Sequence, residues 1–416
     1  MTLKVGVVGC AHGELEIIYD TVSKLKEKYN IDLDLLICCG DFQSVRDEHD
    51  LVSMAVPVKY RRMNTFRKYY TGEAKASVLT LFVGGNHEAS NYLWQLPYGG
   101  WVAPNIFFMG KANVLNFGGL RIGGLSGIYK SYNYLRGHFE KPPFSEDEKR
   151  SVYHVRSLEV LRLKQLVKPL DVFVSHDWPR GIDRFGDRQR LFQIKQHFVE
   201  EAESGELGSL PGYELLRMLK PKYWFAAHMH VKFAALVPHE DGSLTKFLAL
   251  DKCLPRRHYF QVLDLETSLS TTERQLSYDP EWLSILRKTD HLLSTSPEST
   301  QPSCAIPSDP FSFAATAEDI SEVKATFAGD FSIPNDLFTV STESDSKATL
   351  NEQTTNFCDK LRIQNLPALL LSNATTTKPA ENEPTKGEEK IRDEHLSASI
   401  STEKIAPAEE ICLDDI

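Results

Sequence analysis

Leu3-Lys4-Val5-Gly6-Val7-Val8-Gly9-Cys10-Ala11-His12 runs from an apolar stretch through a glycine turn to two residue types that ligate metals. Leu3 to Val8 has the length and β-branched content of a buried strand. Glu14 to Tyr29 then places apolar residues at helical spacing, and Leu33 to Cys39 returns to a strand pattern that ends at Gly40-Asp41. Strand, helix and strand in that order predict an α/β fold. Three later runs repeat the device: Val78 to Val83 ends before Gly85-Asn86-His87-Glu88, Leu170 to Val174 before His176-Asp177, and Tyr223 to Ala227 at His228-Met229-His230. Ligands in open α/β sheets collect beyond the carboxyl ends of the strands. Glycines at strand ends permit sharp turns and close backbone approach. The blocks are therefore expected to converge on one sheet edge.

Imidazole, carboxylate and amide oxygen are the donors expected for first-row divalent metals held for hydrolysis. Two ions about 3.5–4 Å apart clamp the attacking and leaving oxygens of an in-line displacement at phosphorus. Asp41 is the natural bridge, because a carboxylate has two oxygens to share. One metal would take His12, Asp41 and His230 with Cys10 nearby, and the other Asp41, Asn86, His176 and His228. His87 follows a ligand without being needed as one, which suits a general acid that protonates a leaving oxygen.

This set resembles the calcineurin-like metallophosphoesterase superfamily, whose usual first block is Asp-x-His rather than Cys-x-His. Cysteine in that position, together with Gly85-Asn86-His87-Glu88-Ala89-Ser90, Ser175-His176-Asp177-Trp178-Pro179 and Leu248-Ala249-Leu250-Asp251-Lys252-Cys253-Leu254-Pro255, is similar to the RNA lariat debranching enzymes. The resemblance covers Met1 to about Glu266. It implies an α/β sandwich of two mixed sheets flanked by helices. It also implies hydrolysis of the 2′,5′-phosphodiester at the branch point of excised introns, with branched RNA as partner and the nucleus as location. A thiolate at Cys10 favours Fe²⁺ or Zn²⁺ over Mg²⁺ or Ca²⁺, and Mn²⁺ suits the remaining donors. Alternatively Cys10 is a small buried residue and one metal site is weakened, so one or two ions remain open.

Ser126 to Arg156 is long for a connection within a compact domain, as lids and binding loops are. It carries Tyr129, Tyr132, Tyr134, Phe139, Phe144 and Tyr153, with Lys130, Arg136, His138 and Lys141 among them. Aromatic faces hold unstacked RNA bases and basic side chains hold phosphates. Tyr129, Lys130, Tyr132, Tyr134, Arg136 and His138 are the candidate substrate contacts, and the resemblance makes the segment a lariat recognition loop. Lys59, Arg61, Arg62, Arg67 and Lys68 fall in what reads as one helix after Pro57. Arg184, Arg188 and Arg190 are further candidate phosphate contacts.

The charge is divided along the chain. Through Leu265 there are 35 Lys and Arg against 30 Asp and Glu, and beyond it 12 against 27. A mildly basic catalytic part, residues 1–265, fits an RNA substrate. Residues 266–340 read as an extension docked on it, with an amphipathic helix over Tyr278 to Lys288 that turns Trp282, Ile285 and Leu286 to one face. The island Phe311 to Phe338 would bind either the domain or a partner. Residues 294–303 and the acidic tail 341–416 are rich in Ser, Thr, Pro, Glu and Lys, the composition of disordered chain, and the tail offers a contact for splicing-associated proteins. Seven cysteines without a Cys-x-x-Cys pair argue against a disulfide framework or structural zinc finger. No leader precedes the first strand and no apolar run reaches membrane-spanning length, so an intracellular, soluble protein is expected and Asn373-Ala374-Thr375 is an accidental glycosylation match.

The site chemistry leaves two rivals. A phosphoprotein phosphatase would need a basic clamp and usually aspartate at position 10. A catalytically silent scaffold would have no reason to keep the donors together.

Overall fold

The computed structural model describes residues 2–267, 274–299, 311–340 and 349–372. Its strands are β1 (Thr2–Val8), β2 (Leu35–Cys38), β3 (Thr80–Phe82), β4 (Gly100–Ala103), β5 (Ile106–Phe108), β6 (Ala112–Phe117), β7 (Leu120–Leu125), β8 (Val172–Ser175), β9 (Tyr223–Ala226), β10 (Phe233–Pro238), β11 (Leu244–Ala249), β12 (Phe260–Glu266) and β13 (Leu276–Tyr278). One sheet has the order β12-β1-β2-β3-β5-β4 and the other β10-β11-β9-β8-β7-β6-β13. Both are mixed: β1, β2, β3 and β5 are parallel between antiparallel edges, as are β11, β9, β8 and β7 in the second sheet.

The strand period of two explains why both sheets are buried on both faces. Val5, Val7, Leu35 and Ile37 of the first sheet meet Ile122, Val172, Val174 and Phe225 of the second in a core between the sheets. Val8, Leu36 and Cys38 point the other way, onto Leu15, Ile18 and Val22 of the helix Leu15–Tyr29. Phe173, Trp224 and Ala226 likewise point outward, against Val160, Leu163, Leu215 and Leu216 from helices Ser157–Lys164 and Leu210–Leu219. The five blocks therefore do not share one sheet edge. Three follow β1, β2 and β3 and two follow β8 and β9, and stacking the sheets brings the two sets of strand ends to one side.

The extension beyond β12 belongs to the same core. Asp279 caps the helix Pro280–Lys288 by accepting from Trp282 N–H at 2.9 Å, and Trp282, Leu283, Ile285 and Leu286 are all buried. Arg121 on β7 pairs with both Asp279 and Glu281, which ties this helix to the second sheet. The Phe311 to Phe338 island binds the domain: helix Ala317–Thr326 buries Val323, Phe327 joins the same cluster and Ile333 enters the core between the sheets.

Two disorder expectations are corrected. Residues 294–299 are ordered by backbone bonds to the loop described below. Residues 349–372 form the helices Glu352–Leu361 and Leu366–Ser372, because Cys358, Leu361, Leu366 and Leu370 find apolar partners that the composition of the tail does not disclose. The rest of the expected tail, with Asn373, lies outside the described residues. The helix expected after Pro57 is also two pieces, Val58–Tyr60 and Phe66–Tyr70. Asn64 interrupts it at a φ of 47° and spends its amide on His12 O at 2.7 Å. Among the described residues no helix is long and apolar enough to cross a membrane.

Candidate metal centre

All eight residues expected at the centre lie on the strand-end turns, and geometry divides them around Asp41. Cys10, His12, Asp41 and His230 offer donor atoms within 4.8 Å of one another. His12 Nε2 is 3.4 Å from His230 Nε2 and 3.8 Å from Asp41 Oδ2. On the other side, Asp41 Oδ1 is 3.4 Å from His176 Nε2, which is 3.1 Å from Asn86 Oδ1. The His228 ring lies 4.9 Å from that of His176. The two oxygens of Asp41 thus face different donor groups, as a bridging carboxylate must.

Hydrogen bonding at His176 tests whether a cation fits. Its Nδ1 lies 2.8 Å from the carbonyl oxygen of Cys39. A carbonyl can only accept, so Nδ1 carries the proton and Nε2 presents a lone pair. That lone pair points at the oxygens of Asp41 and Asn86, which are themselves acceptors. With the Asn86 carboxamide presenting its oxygen, three lone-pair donors converge with no proton between them, an arrangement that a divalent cation stabilises. Gln43, whose carboxamide ends exchange by a half-turn, lies 3.1 Å from His12 Nδ1 and orients that ring from behind.

The electrostatics prepare the same donors. Burial holds the His12 and His176 imidazoles below their ordinary pKa, lowers His228 to about 4 and His230 to about 2, and so keeps them neutral and able to ligate. Burial by itself would raise the Asp41 carboxyl, but His176, His87 and His12 around it, with the His87 N–H, hold it well below the usual range. Burial and then the Asp41 charge push the Cys10 thiol up. A cation at its sulfur reverses that balance, since a ligating thiol is deprotonated. The sulfur also accepts the His228 N–H at 3.3 Å, which ties the first block to the last.

Holding this many donors together strains the backbone. His12, Asp41, Gln43, His228 and His230 all have φ between 47° and 61°, a region costly for side-chain-bearing residues. Gly85 makes the closest approach possible, because a Cβ there would sit 2.2 Å from Asp41 Oδ1. Glu88, to which the sequence pattern assigns no role, is the organiser of these turns. Its buried carboxylate accepts N–H groups from Phe42 and Gln43, each at 2.8 Å, and from Gly85 at 2.9 Å. Burial and the nearby Asp41 raise its pKa to about 8. The signal for Glu88 in sequence is a carboxylate one residue after His87; nothing local says that it turns inward. His87 borders the donor groups, its ring centroid 5.6 Å from that of His12. Its ring is about one-third exposed with Nδ1 3.7 Å from Asp41 Oδ2, while its N–H donates to Asp41 Oδ1 at 2.8 Å.

The loop 126–156 flanks this edge. Its neck closes through Ile128 N–H to Tyr153 O and Val155 N–H to Ile128 O, and Tyr129 N–H donates to Asp177 Oδ2 at 3.1 Å. Of the six candidate contacts, Lys130 and Tyr132 are exposed, the latter by 63 %. His138 is not a surface contact: it is buried and bonds Glu159 at 2.9 Å. Tyr134 packs on the core and meets Tyr129 edge-on, and Arg136 is half-buried. The expectation of an exposed contact fails for His138 because its ring turns inward to Glu159 on the helix Ser157–Lys164. Buried Arg156, paired with Glu140, lies in the same loop.

Comparison with known proteins agrees with this geometry. Residues 3–232 match the calcineurin-like phosphoesterase family, and residues 242–366 match the C-terminal domain of lariat debranching enzymes. The lariat debranching enzyme of Gallus gallus is 46% identical, across 97% of this chain and 77% of that protein. Lariat debranching enzyme A of Xenopus laevis is 49% identical across 88% and 71%, and the lariat debranching enzyme of Arabidopsis thaliana is 54% identical across 69% and 68%.

Proposed function

This chain belongs to the lariat debranching enzymes, and from that premise we propose how its residues hydrolyse the 2′,5′-phosphodiester of an intron branch. The carrying observation is the convergence of lone pairs at His176 Nε2, Asn86 Oδ1 and Asp41 Oδ1 beside the group of Cys10, His12 and His230. A divalent ion held by these donors supplies Lewis acidity, which brings the pKa of water toward neutrality and offsets charge on the phosphate. Asp41 spans both donor groups and is itself aligned by the His87 N–H. His87 holds a proton at the exposed edge of the site and delivers it to the departing 2′-oxygen. Lys130 and Tyr132 engage the branch from the adjoining loop, with phosphate on the ammonium and a base on the ring. The linear RNA that results is a substrate for turnover.

Further parts of the proposal rest on donor chemistry and on where branches arise. The Cys10 sulfur favours Fe²⁺ or Zn²⁺, with Mn²⁺ as a substitute that the nitrogen and oxygen donors accept. Nuclear residence follows from a substrate produced by splicing, and imaging of the tagged protein checks it. The acidic tail, residues 341–416, is the proposed contact for splicing-associated proteins.

The test is cleavage of a synthetic RNA with one 2′,5′ linkage beside a linear 3′,5′ control and a phosphopeptide, after Fe²⁺, Zn²⁺ or Mn²⁺ is returned to metal-stripped protein. Selective loss of the branch is the expected result, and the most effective ion identifies the metal. Turnover of the phosphopeptide alone would remove the RNA reading and leave the metal site standing.

A further inference from the structure

A groove of about 280 Å³ lies beyond the metal edge, between the turn that follows β8 and the helices Phe198–Glu203 and Leu210–Leu219. Its floor at Arg180 and Gly181 follows the His176-Asp177 block along the chain. Trp178 is fully buried and donates Nε1–H to Ala227 O at 2.7 Å, while its own carbonyl accepts Ser209 N–H at 2.7 Å. Arg180 N–H then donates to Ser209 O at 3.0 Å. The floor is thereby fixed to the ends of β8 and β9, the two strands that deliver His176 and His228.

The lining is unusual for a surface with only a structural task. Phe185 and Tyr213 present rings that are 37% and 41% exposed. Arg180 and Arg184 stand beside them, and no carboxylate among the described residues lies within ion-pair distance of either guanidinium. The acid in the lining, Asp183, is buried and already paired with Arg188 at 2.8 Å. Arg180 Nε donates to Gly208 O at 3.4 Å, and guanidinium groups without a carboxylate partner next to open aromatic faces match the two needs of single-stranded nucleic acid, cations for phosphates and π-faces for bases.

We propose that this groove holds a single-stranded stretch of the RNA as it leaves the branch, phosphates on Arg180 and Arg184 and bases against Phe185 and Tyr213. The assignment rests on the debranching reading for its substrate and adds a second contact region outside the reacting linkage. Stacking and phosphate contact are indifferent to base identity, which suits an enzyme that must accept introns of any sequence. An acidic protein segment would satisfy the arginines but leave the rings without a matched partner.

The test separates the groove from the chemistry. Fluorescence anisotropy of a labelled, unbranched ten-nucleotide RNA is measured with the full chain carrying Arg184→Glu or Tyr213→Ala, both exposed positions. Each change is expected to weaken binding about tenfold, and Arg184→Glu also to flatten the salt dependence. Both variants should cleave a minimal branch, one nucleotide per arm, at the parent rate. Unchanged affinity in both variants overturns the groove, whatever becomes of debranching. Loss of minimal-branch cleavage overturns it as well, since the residues would then serve the reacting centre. Failure of the parent protein to cleave any branch counts against the debranching reading alone.

Discussion

Each donor at the metal edge lies within four residues of the strand that delivers it, whereas the neighbouring loop 126–156 takes its shape from residues as distant as Leu366. The edge is assembled from local turns that a rigid sheet pair brings together. The loop depends on the extension: Gly137 N–H donates to Ser296 O and His138 N–H to Ser294 O, both at 2.9 Å. Under it, Val152, Trp94, Leu366 and Leu370 form a small apolar cluster. The helix that carries Leu366 is anchored in turn by Gln364, whose N–H donates to Asp290 Oδ1 at 2.9 Å and whose carbonyl accepts the Tyr98 hydroxyl at 2.7 Å. Edge and loop therefore draw most of their support from different parts of the chain, meeting at bonds such as Tyr129 N–H to Asp177, and under the proposed function changes to the two should be separable.

The largest break is expected from Asp41→Ala, which removes the one residue common to both donor groups. Cleavage of branched RNA should fall roughly 10³-fold or more, with loss of bound metal by elemental analysis. If His87 is the proposed general acid and not a ligand, His87→Ala should cost roughly 10²–10⁴-fold with metal content intact. Normal turnover in that variant would end the general-acid assignment.

Gly137→Ala addresses the second support. A Cβ there would stand 2.4 Å from Ser294 O, so the loop must shift. Cleavage of branched RNA should drop about 10–100-fold by misplacement, while hydrolysis of a small chromogenic phosphodiester and metal content stay at parent levels. Equal loss on both substrates would show that loop and edge are one unit. Tyr132→Ala should be milder, a rise in KM of about tenfold from one lost stacking face.

The last break is read in stability rather than in turnover. In metal-stripped protein, His228 and His230 have folded pKa values of about 4 and about 2, below an unfolded value near 6.5. Between those limits the unfolded chain binds more protons, so stability is intact above pH ~6.5 and declines as pH falls toward about 4. The melting temperature should fall steadily over that window, and added metal should restore it. A flat profile would contradict the buried, neutral state of these rings.

Much of the edge is legible in the sequence because its signals are local. An apolar run, a glycine and a donor recur at each block, and the period of two says which residues face which layer. The role of Glu88 is not legible, since a carboxylate after a histidine reads the same whether it faces solvent or three amide groups. His138 misleads for the converse reason: a histidine among tyrosines looks like a surface contact until Glu159 is seen beside it. The helices Glu352–Leu361 and Leu366–Ser372 stand in a segment whose composition resembles disordered chain. Composition measures how much apolar surface a segment carries, not whether Trp94 and Val152 are waiting to cover it.

The α/β class, the donors and the resemblance to lariat debranching enzymes follow from sequence alone, because each depends on residue type and short spacing. Where the resemblance implies two sheets, tertiary structure alone decides that three of the blocks come from one and two from the other. It also decides that Asp41 faces both donor groups and that the extension shapes the loop. Those are contacts between residues far apart along the chain, and only the closed fold sets such distances.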